Sequence, residues 1–212
     1  MICSTSFLSS DFSRLREEIL SVNRAKWLHF DVMDGKFVEN VTYNHLMLRE
    51  IKKYSEQFFD VHLMIVKPEK YVDKYINEGA NLITFHLEAS KDPLKLISKI
   101  KARNVLAGIS IKPNTEVEDL LDFLPYLDLV LIMSVEPGKG GQKFISNSLG
   151  KIEYLLKKKK ELNHEFFIEV DGGINFETAK TVREAGCDVI VVGSFLFNKP
   201  NRNKLIEELE NV

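Results

Sequence analysis

"ICSTSFLSS", residues 2 to 10, decides how this chain folds. Ile2 to Phe7 reads as a strand, and the turn leaving it, Ser6-Phe7-Leu8-Ser9-Ser10, contains no glycine. An open doubly wound sheet usually carries a glycine-rich turn after its first strand, where backbone must approach a pyrophosphate. A closed barrel has no such requirement, and closure removes both sheet edges.

Outward from that stretch, short apolar and β-branched runs recur at even intervals. Further strands are predicted at Trp27 to Met33, Phe58 to Ile65, Leu82 to Leu87, Leu106 to Ile111, Leu129 to Val135, Phe166 to Val170 and Val189 to Val192. Between them lie segments of helical periodicity. Leu15, Ile19 and Val22, and again Leu94, Ile97, Ile100 and Lys101, fall mostly three or four apart, as in helices covering a sheet. Asp92-Pro93 is a helix start, Asn175 an N-cap, and Gly79 and Gly186 mark helix stops. With each helix following its strand, the sheet must be parallel, because a return to the same edge needs a crossover. The expectation is a single-domain α/β chain over residues 1–212, a (β/α)8 TIM barrel, with no linker or low-complexity tract.

Composition narrows the function. Lys plus Arg number 29 against 31 Asp plus Glu, a net charge of -2, so nothing is spare to neutralise a phosphate backbone and nucleic acid is not an expected partner. The run Lys157 to Lys160 reads as a solvated helix end. Cys3 and Cys187 cannot form a disulfide framework and suit a reducing compartment, the cytoplasm. No long apolar span and no basic, apolar leader is evident, so neither membrane insertion nor export is expected. Leu46, Met47 and Tyr43 offer a helix face for a second copy of the chain or for packing on the barrel, so a homo-oligomer stays open.

Barrel chemistry sits at the carboxyl ends of the strands. His29 and Asp31 share one face of the second strand, His62 lies on the third in "DVHLMI", and Asp171 ends the seventh in "IEVDGG". Each alone could be a hydrogen-bonded core residue. Two imidazoles and two carboxylates converging on one mouth make a mixed N/O site for a divalent cation, which offsets the cost of burying both negative charges. Zn2+ fits, with Fe2+, Mn2+ or Co2+ as alternatives.

Glycines gather in three neighbouring loops: "EPGKGGQKF" after strand six, "DGG" after strand seven and "VGSF" at the end of strand eight. They free backbone N–H groups to approach an anion, and the helix start at Asn175 adds a favourable dipole, so a phosphate is expected there. His86 and Glu88 in "TFHLEA" share a face and suit a supporting role better than a catalytic one. Lys112, before Pro113, reads as a turn residue rather than a Schiff-base lysine, and surface positions suffice for His45 and His164.

Taken in order, "TSFLSSDF", "HFDVMDGKFVEN", "DVHLMIVKPEKY", "MSVEPGKGGQKF", "EVDGGIN" and "VVGS" resemble the ribulose-phosphate 3-epimerases, metal-dependent barrels of the pentose phosphate pathway, over nearly the whole chain. The resemblance implies a ribulose-phosphate-binding barrel with His29, Asp31, His62 and Asp171 as metal ligands, and Asp31 and Asp171 as the acid/base pair. It implies that Ser6 and His62 touch the sugar of a phosphorylated ketose. Phosphate would be held by Gly138, Lys139, Gly140 and Gly141, by Gly172 and Gly173, and by Gly193 and Ser194, with Met33, Met64 and Met133 around the reacting carbon. The chain departs from the family pattern at Thr5 and Glu39, where Pro is usual, and at Lys139, where Phe is usual. None of these removes a ligand or an acid/base group.

Epimerising a carbon beside a ketone removes a proton from one face and returns one to the other, which calls for a carboxylate on each side. The carbanion is tolerable only when delocalised as a 2,3-enediolate beside a cation. An allulose-6-phosphate 3-epimerase, a related barrel lyase or a non-catalytic phosphosugar-binding barrel are the alternatives.

Overall fold

Leu28, Phe30 and Val32 alternate with His29, Asp31 and Met33, and the two sets face opposite sides of their strand, the first toward covering helices and the second toward a barrel interior. In the computed structural model, which describes residues 1–212, this alternation belongs to a parallel barrel with strands in chain order. The strands are β1 (Ile2–Ser6), β2 (Trp27–Met33), β3 (Phe58–Met64), β4 (Leu82–His86), β5 (Leu106–Ile111), β6 (Leu129–Met133), β7 (Phe167–Asp171) and β8 (Val189–Val192). β8 pairs with β1 to close the ring. Each lies within two residues of its sequence-based bounds.

The helices are α1 (Leu15–Leu20), α2 (His45–Lys52), α3 (Val72–Asn77), α4 (Pro93–Lys101), α5 (Ser148–Leu162), α6 (Phe176–Ala185), α7 (Ser194–Phe197) and α8 (Arg202–Glu210). Their punctuation is as expected. Asp92 accepts from the Lys95 N–H with Pro93 in the first turn of α4, and Asn175 and Thr178 cap each other at α6. Gly186 stops α6 at φ 108°, a left-handed backbone that a side chain would strain. The large outer core joins strand residues such as Phe30, Val61, Phe85 and Ile109 to helix residues such as Ile19, Leu48, Ile97 and Ile152. A smaller cluster plugs the barrel interior, where Trp27 stacks on Phe58 at 4.4 Å and meets Phe167 edge-on. Tyr43 and Met47 pack against the outer core while Leu46 is exposed.

The expected strict alternation fails once. Between β5 and β6 there is no α-helix, only 3-10 turns at Val117–Leu120 and Leu124–Tyr126. A helix through this segment would place Pro125 inside it, where the ring lacks an N–H and collides with the preceding turn. Lys151 of α5 holds the segment instead: its buried ammonium donates to the carbonyls of Lys112 (3.3 Å), Pro113 (2.7 Å) and Thr115 (2.6 Å). Lys151→Met leaves those carbonyls without a donor, and we expect it to lower the unfolding free energy by about 2–3 kcal/mol in urea titration. A change below about 0.5 kcal/mol would show that solvent replaces the ammonium.

Candidate functional site

The parallel register of β2 and β3 places His29 beside Asp60 and Asp31 beside His62, and β6 and β7 bring Met133 beside Asp171. At the carboxyl ends of these strands the sequence-predicted cluster assembles: one donor atom from each of His29, Asp31, His62 and Asp171 lies within 4.8 Å of every other. Asp31 Oδ1 is 3.3 Å from His62 Nδ1 and 3.4 Å from His29 Nε2. Asp31 Oδ2 accepts a 2.6 Å bond from the Ser6 hydroxyl. Asp31 and both histidines are buried, and Asp171 is partly open.

The two aspartates are pulled in opposite directions. Burial alone would raise the Asp31 carboxyl, but the charge of His29 and its hydrogen bond hold it well below the usual carboxylate range. The Asp171 carboxyl is pushed up to about 7 by burial and by the adjacent negative charge of Asp31.

Below this cluster lies a second polar group that sequence reasoning misses. His29 Nδ1 is 2.6 Å from Asp60 Oδ2, and a carboxylate there directs Nε2 toward Asp31. Asp60 Oδ1 and both Glu169 oxygens are buried without hydrogen-bond partners, and burial together with the Asp60 charge pushes the Glu169 carboxyl well up. The signal is present in the sequence, since Asp60 precedes His62, and Glu169 precedes Asp171, by the two residues that keep a strand side chain on the same face.

The donor set fits a divalent cation: two imidazole nitrogens and two carboxylates converge, with uncompensated acidic oxygens just beneath. His29, Asp31, His62 and Asp171 are the residues that could hold one.

Above them opens a recess at the mouth of the barrel. Ser6, Asp31, Asp171, Met33, Met64 and Met133 line its floor, and Gly138 to Gly141, Gly172, Gly173, Gly193 and Ser194 line its rim. His29 and His62 have no exposed surface and lie beneath the floor. Leu8, Ser9, Gln142 and Ile174 also line the recess; they lie within the motifs that carry the resemblance but are not among the site residues it implies. The rim depends on glycine at two places. Gly172 has φ 121° and a Cβ there would sit 2.4 Å from Val135 Cγ2, while at Gly173 (φ 64°) it would meet the Phe144 backbone nitrogen at 2.5 Å. Ser134 fixes the end of β7 by donating its hydroxyl to the carbonyls of Asp171 and Gly172 at 2.9 and 2.7 Å. Gln142 braces the loop after β6 through the carbonyls of Glu136 and Lys139, and Asn40 reaches across from the loop after β2 to the Gly138 carbonyl.

His86 stands behind His62, with 2.9 Å between their Nε2 atoms, and Glu88 stands behind His86. Lys112 donates its backbone N–H to Glu88 while its ammonium lies 4.2 Å over the Phe37 ring, so it faces no carbonyl-binding pocket. His45 opens α2, and His164 lies 3.0 Å from the Leu127 carbonyl; both are away from the cluster.

No helix is long and apolar enough to cross a membrane. The solved structures that this barrel resembles include 3-hexulose-6-phosphate synthase from Salmonella typhimurium, at TM-score 0.72 and 14% identity over 100% of this chain and 97% of that one. KGPDC from Streptococcus mutans aligns at TM-score 0.71 and 12% identity over 99% of this chain and 95% of that one. At such identities the likeness is one of fold. Sequence relatives are closer. Ribulose-phosphate 3-epimerase of Synechocystis sp. is 42% identical, covering 100% of this chain and 94% of the relative. The enzyme of that name from Schizosaccharomyces pombe is 40% identical, covering 97% and 91%. A sequence model of the ribulose-phosphate 3 epimerase family matches residues 2–197. With the match running through all eight strands, the chain belongs to the ribulose-phosphate 3-epimerase family.

Proposed function

We propose that this chain is a metal-dependent epimerase that interconverts D-ribulose 5-phosphate and D-xylulose 5-phosphate by two-base proton transfer at C3. The observation that carries the reading is the convergence of Asp31 and Asp171, from different strands, on one site at the floor of the recess. Asp31, ionised, takes the C3 proton from one face, and Asp171, protonated, delivers one to the other; for the second epimer the roles exchange. Ser6 pins one Asp31 oxygen by its 2.6 Å bond, which leaves the other to turn toward the substrate or a cation. Met33, Met64 and Met133 cover the planar enediolate and have no proton to donate.

The phosphate rests against Gly138 to Gly141, Gly172, Gly173, Gly193 and Ser194, and holds C3 between the carboxylates through binding energy remote from the reacting carbon. His29, Asp31, His62 and Asp171 hold the divalent cation, for which Zn2+ suits the ligand set, with Fe2+, Mn2+ and Co2+ as substitutes. When bound, it supplies electrostatic stabilisation for the negative charge of the enediolate. The substrate is a small phosphorylated ketose, and neither nucleic acid nor membrane is a partner. Two buried free thiols, Cys3 and Cys187, suit the cytoplasm. The exposed Leu46 on α2 is compatible with a homo-oligomer.

Incubation of D-ribulose 5-phosphate with the protein in heavy water tests the reading. We expect D-xylulose 5-phosphate to form with solvent deuterium at C3. A cleaved aldehyde would point to a lyase, faster turnover of allulose 6-phosphate to a hexose epimerase, and no exchange at all to a binding module; each would overturn the assignment.

A further inference from the structure

His86 and Glu88 are not among the four converging ligands, yet they join the His62 ring to the loop after β5. His62 and His86 are fully buried, and their Nε2 atoms face each other at 2.9 Å, so one must donate and the other accept. The far side of His86 decides which. Its Nδ1 lies 3.3 Å from Glu88 Oε2. Burial would raise the Glu88 carboxyl, but bonds from His86, the Lys112 N–H and the Thr115 hydroxyl bring it down to about 2, and a carboxylate only accepts. His86 therefore carries its proton on Nδ1 and offers a lone pair at Nε2, and His62 must donate from Nε2.

With one proton per ring, His62 Nδ1 is then bare, and that is the atom facing Asp31 Oδ1 at 3.3 Å and His29 Nε2 at 3.4 Å. Asp31 alone would favour the opposite arrangement, with the proton on Nδ1 donated to its own oxygen, where it would block ligation. Glu88 is prevented from turning away. Its Oε1 is occupied by the Lys112 N–H at 2.9 Å and by the Thr115 hydroxyl, and Lys151 holds that loop through three carbonyls. The Phe37 ring covers His86 with centroids 4.7 Å apart.

We propose that Glu88 and His86 are positioning residues that fix His62 as its Nε2–H tautomer, presenting the Nδ1 lone pair to the ion site and so setting the affinity for a divalent cation. The inference rests on the metal-dependent reading above, and its tautomer component is measurable without any metal.

The discriminating variant is Glu88→Gln. The Lys112 N–H and the Thr115 hydroxyl still demand an acceptor at Oε1, which turns the new amide NH2 toward His86 Nδ1. His86 must then carry its proton on Nε2, and His62 is driven to the Nδ1–H form. His86→Leu removes the acceptor outright and leaves Asp31 to draw the His62 proton to Nδ1.

Long-range 1H–15N correlation of [15N]histidine-labelled, metal-free protein reads the tautomer, and calorimetric titration with Zn2+ against a competing chelator reads affinity. We expect Nε2–H at His62 in the parent protein, Nδ1–H in both variants, and Zn2+ affinity lower by about 10- to 100-fold. A purely structural role would shift melting temperature and leave the tautomer unchanged. A parent His62 protonated on Nδ1, or variants that retain Nε2–H and parental Zn2+ affinity within twofold, would overturn the relay. A parent protein that binds no divalent ion would overturn the metal-dependent reading, while the tautomer spectra still decide the relay.

Discussion

Asp171→Asn is expected to abolish epimerisation, with kcat reduced by about 10²–10⁴-fold or more, while affinity for a phosphorylated ligand stays within a few-fold. Asparagine keeps the shape of the side chain but has no proton to release near neutrality, so one face of C3 loses its proton donor. Asp31→Asn should be as damaging for the complementary reason, since an amide cannot take a proton from carbon. The two variants are nevertheless distinguishable. With one carboxylate left, the proton of the epimer facing it can still be removed and returned to the same face. In heavy water each variant should therefore wash deuterium into C3 of one epimer without inversion, and the two variants should label opposite epimers. Elemental analysis of each variant separates loss of proton transfer from loss of bound ion. Inversion at a tenth of the parental rate in either would rule out the pair, because a lone base cannot reach both faces.

The strands are legible in the sequence because a buried parallel sheet demands apolar side chains on both faces, and in β2 and β3 that demand is broken only on the inward side, by His29, Asp31, Asp60 and His62. The same alternation makes the four-residue cluster readable from the order of the residues alone. Asp60 and Glu169 escape such a reading although they obey it, because a carboxylate below a ligand differs from the ligand only in depth along the strand, and depth depends on the stagger between strands. His86 and Glu88 fall on one face by spacing, but β4 ends at His86 and Glu88 stands in the following turn, so the route from Glu88 through His86 to His62 depends on the loop after β5. That loop is the least readable part. The apolar periodicity of residues 117–126 resembles a helix, and the constraint against it is one proline near its end.

Removing the bound divalent ion should cost both turnover and stability. Asp31 and Asp171 would then face each other with Asp60 beneath, and one of the pair must stay protonated to relieve the repulsion, as the raised Asp171 carboxyl already indicates. We expect elemental analysis of purified protein to give close to one divalent ion per chain, and activity to fall by about 10³-fold on its removal. Stripping should be slow at neutral pH, because two of the four proposed ligands, His29 and His62, have no exposed surface and the recess reaches the cluster past Asp31 and Asp171. Protonating the ligands in mild acid should speed it. An ion that binds only the folded chain, present at a thousandfold excess over its dissociation constant, stabilises by about 4 kcal/mol. For a chain of 212 residues that corresponds to a melting temperature higher by about 8–16 °C. Readdition of Zn2+ should restore both quantities together, and Mn2+ or Co2+ should restore stability in proportion to affinity. Full activity in protein shown by elemental analysis to be free of divalent ions would remove the electrostatic partner on which the enediolate reading depends, leaving a pair of aspartates too close together for both to act ionised.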